Sequence, residues 1–386
     1  MSMSELEASV VDPYPDWQER QSKGPVEHGV SMGKSNVHIF GREACEAALK
    51  DEANFSSSVN QESMGPYMGT VILGMDGREH TVYRNLISHA FRRSALERWE
   101  SELIAPTIHE LLDAIVADGR SDLVRTVTSR YPVKVITSLI GVPVEDVDRF
   151  ASWAEDVSGG PLNPERGLEA SQQMRAYLEP IVEDRRANPT DDLMSDIVNA
   201  EIEGERLSDE HIYGFLRLLL PAGAETTYRL FGSTLFALLS NPDALARVRE
   251  DRTLVPKAVE ETLRWETSVT LVTRVAKNDT EVAGCPVAAG TVVGMMLGAC
   301  NRDQDHFEDP THWSLDRPKD PGHLSFGWGR HLCLGMHLAR MELQLGVNAV
   351  LDRLPNLRFD PEAPVPEIRG HAFRGPLALP VLFDPS

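Results

Sequence analysis

Residues 325–335 read Ser325-Phe326-Gly327-Trp328-Gly329-Arg330-His331-Leu332-Cys333-Leu334-Gly335, and the rest of the chain is organised around them. One cysteine stands among three glycines in a stretch with neither a helical nor a strand period. Glycine adopts positive φ without strain and lets the backbone pass close to a flat object, so Gly327, Gly329 and Gly335 predict a tightly turned loop. Beyond it Leu334, Leu338, Met341 and Leu345 recur at spacings of four, three and four, which predicts a helix beginning just after Cys333. A helix N-terminus favours negative charge, so Cys333 is expected to be a thiolate suited to binding a metal. The competing reading is a buried structural cysteine beside a Gly-rich turn, the commoner fate of an intracellular thiol.

With 386 residues, 41% hydrophobic and 25% charged, the chain has the composition of an ordinary globular protein. No Pro/Gly/Ser-rich linker, repeat or low-complexity tract divides it, which predicts one domain over residues 1–386. A chain of this size can bury enough surface to enclose a bulky cofactor and an apolar cavity. The formal charge of −21, from 38 basic and 59 acidic residues, argues against nucleic acid and anionic membranes as partners. The first 17 residues carry neither a basic leader nor a long apolar run, so a cytoplasmic location is expected. Cys45, Cys285, Cys300 and Cys333 show no paired or zinc-type spacing, and the first three are expected to be independent packing thiols.

Upstream, Arg42 to Lys50 reads as a helix, and Asn54 to Gly74 as a long irregular stretch carrying Met64, Tyr67, Met68, Val71 and Ile72. His80 and Arg84 are four apart and share a helix face, able to address one anion or simply to form a solvated basic face. From Glu100 to about Glu203 the period is helical. Ser208 caps a helix with no strong terminator before Asn241-Pro242, and at ~1.5 Å per residue it would reach roughly 48 Å. Pro221 and Gly223 fall halfway along it and are expected to weaken its hydrogen-bond ladder. Glu261 and Arg264 are three apart, an ion pair of about 0.3 kcal/mol if exposed.

The ordered set Phe326, Gly327, Gly329, His331, Cys333 and Gly335 matches F-G-x-G-x-H-x-C-x-G, and by it the chain resembles the cytochrome P-450 superfamily of haem-thiolate monooxygenases. Ala222-Gly223-Ala224-Glu225-Thr226 resembles that family's A-G-x-[DE]-T, and Glu261-Thr262-Leu263-Arg264 its E-x-x-R. The resemblance covers nearly the whole chain. It implies a mainly α fold with small β-sheets, holding haem b between the long central helix and the cysteine loop.

Residue by residue, it implies that Cys333 is the metal ligand of the haem iron and that His80, Arg84, Arg274 and His331 face the propionates. Phe326 and Gly327 would border the cofactor on one side, with Ala222 and Gly223 keeping space on the other. Thr226 and Glu225 are implied as catalytic residues that bring protons to bound dioxygen, because splitting O–O consumes two protons. Glu261 and Arg264, joined by Arg317, are implied to lock the cysteine loop. Met64, Tyr67, Met68, Val71, Val269, Val272 and Phe373 are the implied substrate contacts. Where the family usually has proline four residues after the arginine, this chain has Ser268.

The implied activity is insertion of one atom of O2 into a small, largely apolar molecule. Electrons would come from a ferredoxin and its reductase, since no flavin or iron–sulfur module fits in 386 residues. Arg92, Arg93 and Arg98 offer a basic cluster for such a partner or an ordinary solvated face. A peroxygenase using hydrogen peroxide and a non-catalytic haem sensor or carrier share most of these residues and stay open.

Overall fold

Helix Asp209–Ser240 is 32 residues long and is capped as its sequence predicts, with the Ser208 side chain accepting from the His211 N–H at 3.3 Å. Its first turn carries Asp209 and Glu210, which complement the positive end of the helix dipole. The helix continues through Pro221, whose missing N–H takes one bond out of the ladder without ending it. Leu216, Leu220, Leu230, Phe231, Leu235 and Leu238 on it are all at most 2% exposed, and each leucine contributes about 2 kcal/mol of burial. The remaining helices are arranged around this central one in a mainly α fold. The computed structural model describes residues 10–385 other than 32–33, 162, 203 and 319–321. The leader expectation for residues 1–9 and the Arg93 side chain fall outside the described residues. Among the described residues no helix is long and apolar enough to cross a membrane.

A five-stranded sheet flanks the helices, in the order Val26–Ser31, Lys34–Ile39, Val292–Met295, Val272–Ala276, Phe55–Ser56. Lys34–Ile39 and Val292–Met295 pair in parallel and the other neighbours antiparallel. Alternation along Val272–Ala276 turns Arg274 and Ala276 inward. The sheet covers a second core of Val37, Ile39, Phe55, Val293, Met295 and Leu324.

Several local expectations change. Asn54–Gly74 is not irregular: Ser58–Met68 forms a helix. Gly65-Pro66 reads as a breaker, yet Pro66 is accommodated inside the helix with its ring exposed, and Gly69 closes the helix at φ 83° with its N–H on the Gly65 carbonyl. Residues 375–382 are divided between two sheets. Gly375–Pro376 pairs with Ile368–Arg369, and Pro380–Leu382 with Arg120–Asp122 and Arg358–Phe359. The packing thiols are free cysteines, as expected: Cys300 Sγ donates to the Phe40 carbonyl at 3.4 Å, and Cys285 Sγ lies 3.0 Å from His28 Nε2.

Helix Val255–Trp265 carries an ion pair that is buried, so the value for an exposed pair does not apply. Glu261 Oε1 accepts from Arg264 Nη2 at 2.8 Å and from Arg317 Nε at 2.9 Å, while Oε2 accepts from Arg264 Nε at 2.9 Å. Arg264 also donates to the carbonyls of Asn301, Pro310 and His312. Asn301 in turn donates to Ser325 Oγ at 2.8 Å and accepts from the Leu324 N–H at 2.7 Å, at the start of the cysteine loop. Glu261→Gln leaves two guanidinium groups without their buried counter-charge and should cost about 3–5 kcal/mol. Urea unfolding checks this, and a loss below about 1 kcal/mol would contradict it.

Candidate functional site

The cysteine loop is turned by Gly327 and Gly329, both at φ 72°. A β-carbon at Gly329 would stand 2.7 Å from the Leu49 carbonyl oxygen, so the loop packs against the end of helix Arg42–Lys50 only through a glycine. Gly335 departs from the expected positive φ and stands at −84°, and a β-carbon there would meet nothing within 4 Å. Its missing side chain therefore leaves open space rather than relieving backbone strain.

The Cys333 N–H donates to the Phe326 carbonyl at 2.8 Å, and helix Met336–Arg353 begins three residues later. Cys333 is exposed at the floor of a recess deep in the protein. Burial pushes its thiol pKa up, against the opposing effects of a hydrogen bond from the Gly335 N–H and the charges of Arg84 and Arg340. Burial thus opposes the helix terminus at this sulfur. A bound metal would supply the missing positive charge.

His80 and Arg84 lie one turn apart on helix Gly77–Ser88. Arg84 Nη2 donates to the Leu332 carbonyl at 2.5 Å, which ties this helix to the cysteine loop. The His80 ring is 1% exposed and sits 4.1 Å from the His331 ring, centroid to centroid. Neither nitrogen of His80 has a hydrogen-bond partner. Burial, followed by the charges of Arg84 and Arg330, lowers the His80 pKa to about 4. Burial and then the neighbouring His80 and Arg274 lower that of His331 to about 3. His331 Nε2 is 3.0 Å from Ser57 Oγ, a contact with no local sequence signal because the two residues are 274 positions apart. Arg274 is 8% exposed and donates only to the carbonyl of its neighbour Thr273.

Among the described residues neither Arg84 nor Arg274 forms an ion pair. Two guanidinium groups outside any ion pair, Arg274 offset only by the more distant Asp76 and Glu52, and a buried imidazole with both nitrogens unpartnered suit an anion, because buried polar groups ordinarily find partners. A flat dianionic cofactor would suit this set, with His80, Arg84, Arg274 and His331 available to hold its carboxylates and Cys333 its metal. The glycines at 327 and 335 leave the floor of the recess uncluttered.

Across the recess, the central helix presents Ala222 and Thr226 one turn apart, with Ala222 exposed. The Thr226 hydroxyl donates to the Ala222 carbonyl at 2.8 Å. Glu225 does not pair with Thr226: its Oε1 accepts from Arg229 Nη2 at 3.0 Å. Of the expected substrate contacts, Met64, Tyr67, Val269, Val272 and Phe373 keep partly open side chains. Met68 at 3% exposed and Val71 at 0% are packed in the main core, so neither presents a wall to open space. Tyr67 turns its ring against Gly160 and Gly167, where a β-carbon on either glycine would lie 2.6 or 3.0 Å from it. Val269 pairs with Phe373, and the Ser268 carbonyl accepts from the Arg374 N–H at 3.0 Å, so serine sits in an extended run despite the departure from proline. Arg98 is held by Asp191 and Asp196, while Arg92 is exposed.

Two supports escaped sequence reasoning. Glu260 accepts a two-armed hydrogen bond from Arg340, at 2.6 and 2.9 Å, and Arg340 lies 4.5 Å over the Phe326 ring. Glu260 and Arg340 are 80 positions apart, beyond any periodic pattern. Arg229 is the other: its spacing of four from Glu225 was available as a helix-pair signal.

Residues 161–371 match the family model described as Cytochrome P-450. The chain is 35% identical over 355 residues to a steroid C26-monooxygenase of Mycolicibacterium smegmatis, covering 88% of this chain and 86% of the relative. It is 33% identical to the cytochrome P-450 monooxygenase PikC of Streptomyces venezuelae, covering 93% and 89%. A Bacillus megaterium cytochrome P-450 solved with testosterone superposes with a TM-score of 0.87 at 30% identity, over 97% of this chain and 99% of that one.

The Glu260 contact makes a pH prediction. Burial raises its carboxyl pKa, but the hydrogen bonds from Arg340 and His323 outweigh this and hold it at about 2. Its ordinary value is 4.5, so the unfolded chain binds the proton first and folded stability falls as pH drops from about 4.5 toward 2. Glu260→Gln should flatten that part of the stability curve, measured by urea midpoints across the range. An unchanged acid slope would show that the pair carries no such coupling.

Proposed function

This chain belongs to the cytochrome P-450 family and is a monooxygenase, and we propose that it binds haem b on Cys333 and oxidises a small, largely apolar molecule with O2. The observation that carries the reading is the buried His80 ring, unpartnered beside Arg84, Arg274 and His331 above an open thiol. Haem with a thiolate ligand supplies the oxygen-activating chemistry when bound. Cys333 holds the metal, and the Gly335 N–H steadies the sulfur. His80, Arg84, Arg274 and His331 orient the cofactor edge, with Phe326 and Gly327 beside it.

Above the cofactor plane, Ala222 and Gly223 provide room and Thr226 a hydroxyl. To donate elsewhere Thr226 must release the Ala222 carbonyl, a rotation about a single side-chain bond. Glu225 is about three-tenths exposed, so its carboxylate can take protons from water and pass them toward Thr226. Met64, Tyr67, Val269, Val272 and Phe373 border the space for the substrate, and their apolar character supports an apolar ligand. Family members work with redox partners, and here a ferredoxin delivers electrons on the cysteine side, with exposed Arg92 as a basic group available to an acidic partner. A cytoplasmic setting and a single working domain complete the reading.

Two measurements test it. Purified protein reduced under carbon monoxide should show the thiolate-ligated Soret band, and Cys333→Ala should lose it; a band retained in that variant would remove Cys333 as the ligand. With a surrogate ferredoxin and its reductase, Thr226→Ala should lower product per NADPH by about tenfold. An unchanged yield, or turnover with hydrogen peroxide alone that is equally fast in both proteins, would overturn the proton-delivery role.

A further inference from the structure

Arg229 lies one turn beyond Glu225 on the central helix and is 5% exposed. One arm of its guanidinium, Nη2, donates to Glu225 Oε1 at 3.0 Å, and the other, Nη1, donates to the Phe373 carbonyl at 3.1 Å. Its Nε is buried with no acceptor, and its guanidinium carbon lies 5.2 Å from the centre of the Tyr228 ring, so the two arms are its hydrogen-bonded anchors. Gly375 brings the backbone onto it: a β-carbon there would come within 2.7 Å of Arg229 Cβ and 2.9 Å of its Cα. Phe373 also pairs with Val269, and both keep partly open side chains, the pair proposed above to border the substrate space. A planar, rigid fork with two engaged arms transmits displacement better than a single flexible contact would.

We propose that Arg229 is a positioning residue that links substrate occupancy to proton supply: it joins the backbone of Phe373, on the recess wall, to the carboxylate of Glu225. A molecule pressing on Val269 and Phe373 shifts the carbonyl that anchors one arm. The other arm then changes its hold on Glu225, freeing the carboxylate to turn toward Thr226. While the recess is empty, the same contact keeps Glu225 away from Thr226, which restrains proton delivery in the absence of substrate. This rests on the proton-delivery role of Glu225 given above.

The test uses the haem-loaded protein and 4-phenylimidazole, an azole that ligates haem iron and places an apolar ring in the recess. Hydrogen exchange is followed in peptides covering 225–229 and 373–376. In the unsubstituted protein both peptides should change uptake together on adding the probe, by at least about twofold in rate. In Arg229→Gln the response at 373–376 should persist and the response at 225–229 should be lost. Arg229→Lys keeps the charge beside Glu225 without the two-armed fork, and should also lose the linked response while retaining haem and fold. A response at 225–229 that survives in both variants would overturn the proposal.

Turnover then separates the two ideas. With a compound that shifts the haem spin state, Arg229→Gln should keep its spin-shift affinity within about threefold while product per NADPH falls severalfold. If Glu225→Gln leaves product yield unchanged, the proton-delivery reading itself fails. If Glu225→Gln lowers the yield and neither Arg229 variant does, only the link through Arg229 fails.

Discussion

The fold of the cysteine loop depends on a carboxylate that two arginines share inside the protein. Glu261 sits between Arg264 and Arg317, and Arg264 passes the constraint on by hydrogen-bonding the Asn301 carbonyl. Asn301 holds Leu324 and Ser325, after which Gly327 and Gly329 turn the chain toward Cys333. A buried ion pair is a poor source of net stability but a strong source of specificity, because any arrangement that separates its members leaves a bare charge in a low dielectric. Its position behind the loop means that the thiol can occupy one place only.

Near Cys333 the fold collects positive and hydrogen-bonding groups that Asp76 and Glu52 offset only in part and that, among the described residues, form no ion pair through Arg84 or Arg274. His80, Arg84, Arg274 and His331 come from a helix, a strand and the cysteine loop, three segments far apart in sequence. Keeping such groups together costs free energy unless a ligand compensates them. The same crowding lowers the basicity of both rings, through burial and the arginine charges at His80 and through burial, His80 and Arg274 at His331. A dianionic cofactor relieves it.

Much of this was legible in the sequence for local reasons. Periodicity and caps gave Arg42–Lys50 and Asp209–Ser240 their limits, because helix ends are set by nearby residues. The helix Ser58–Met68 was missed because Gly65-Pro66 signals a break and no apolar stripe opposes it. Met68 and Val71 looked like walls of a cavity because their chemistry is apolar, yet apolar residues serve a core equally well. Ser57 at His331 and Glu260 at Arg340 had no signal, since contacts 274 and 80 positions apart follow from packing and not from spacing.

Taken by itself, the order of residues determined the ligand loop around Cys333, the long central helix with its Ala222-to-Thr226 motif and the membership of one family, since these reside in short fixed patterns. Only the tertiary structure decided how the site is supported and what its groups are doing. It turned the Glu261–Arg264 pair from a weak surface contact into a buried lock and gave Gly335 its role as open space. It also set Glu225 on Arg229 rather than on Thr226. The physical reason is common to all three: burial and direction of side chains depend on which distant segments pack together, and the energy of a charge or hydrogen bond depends on that burial.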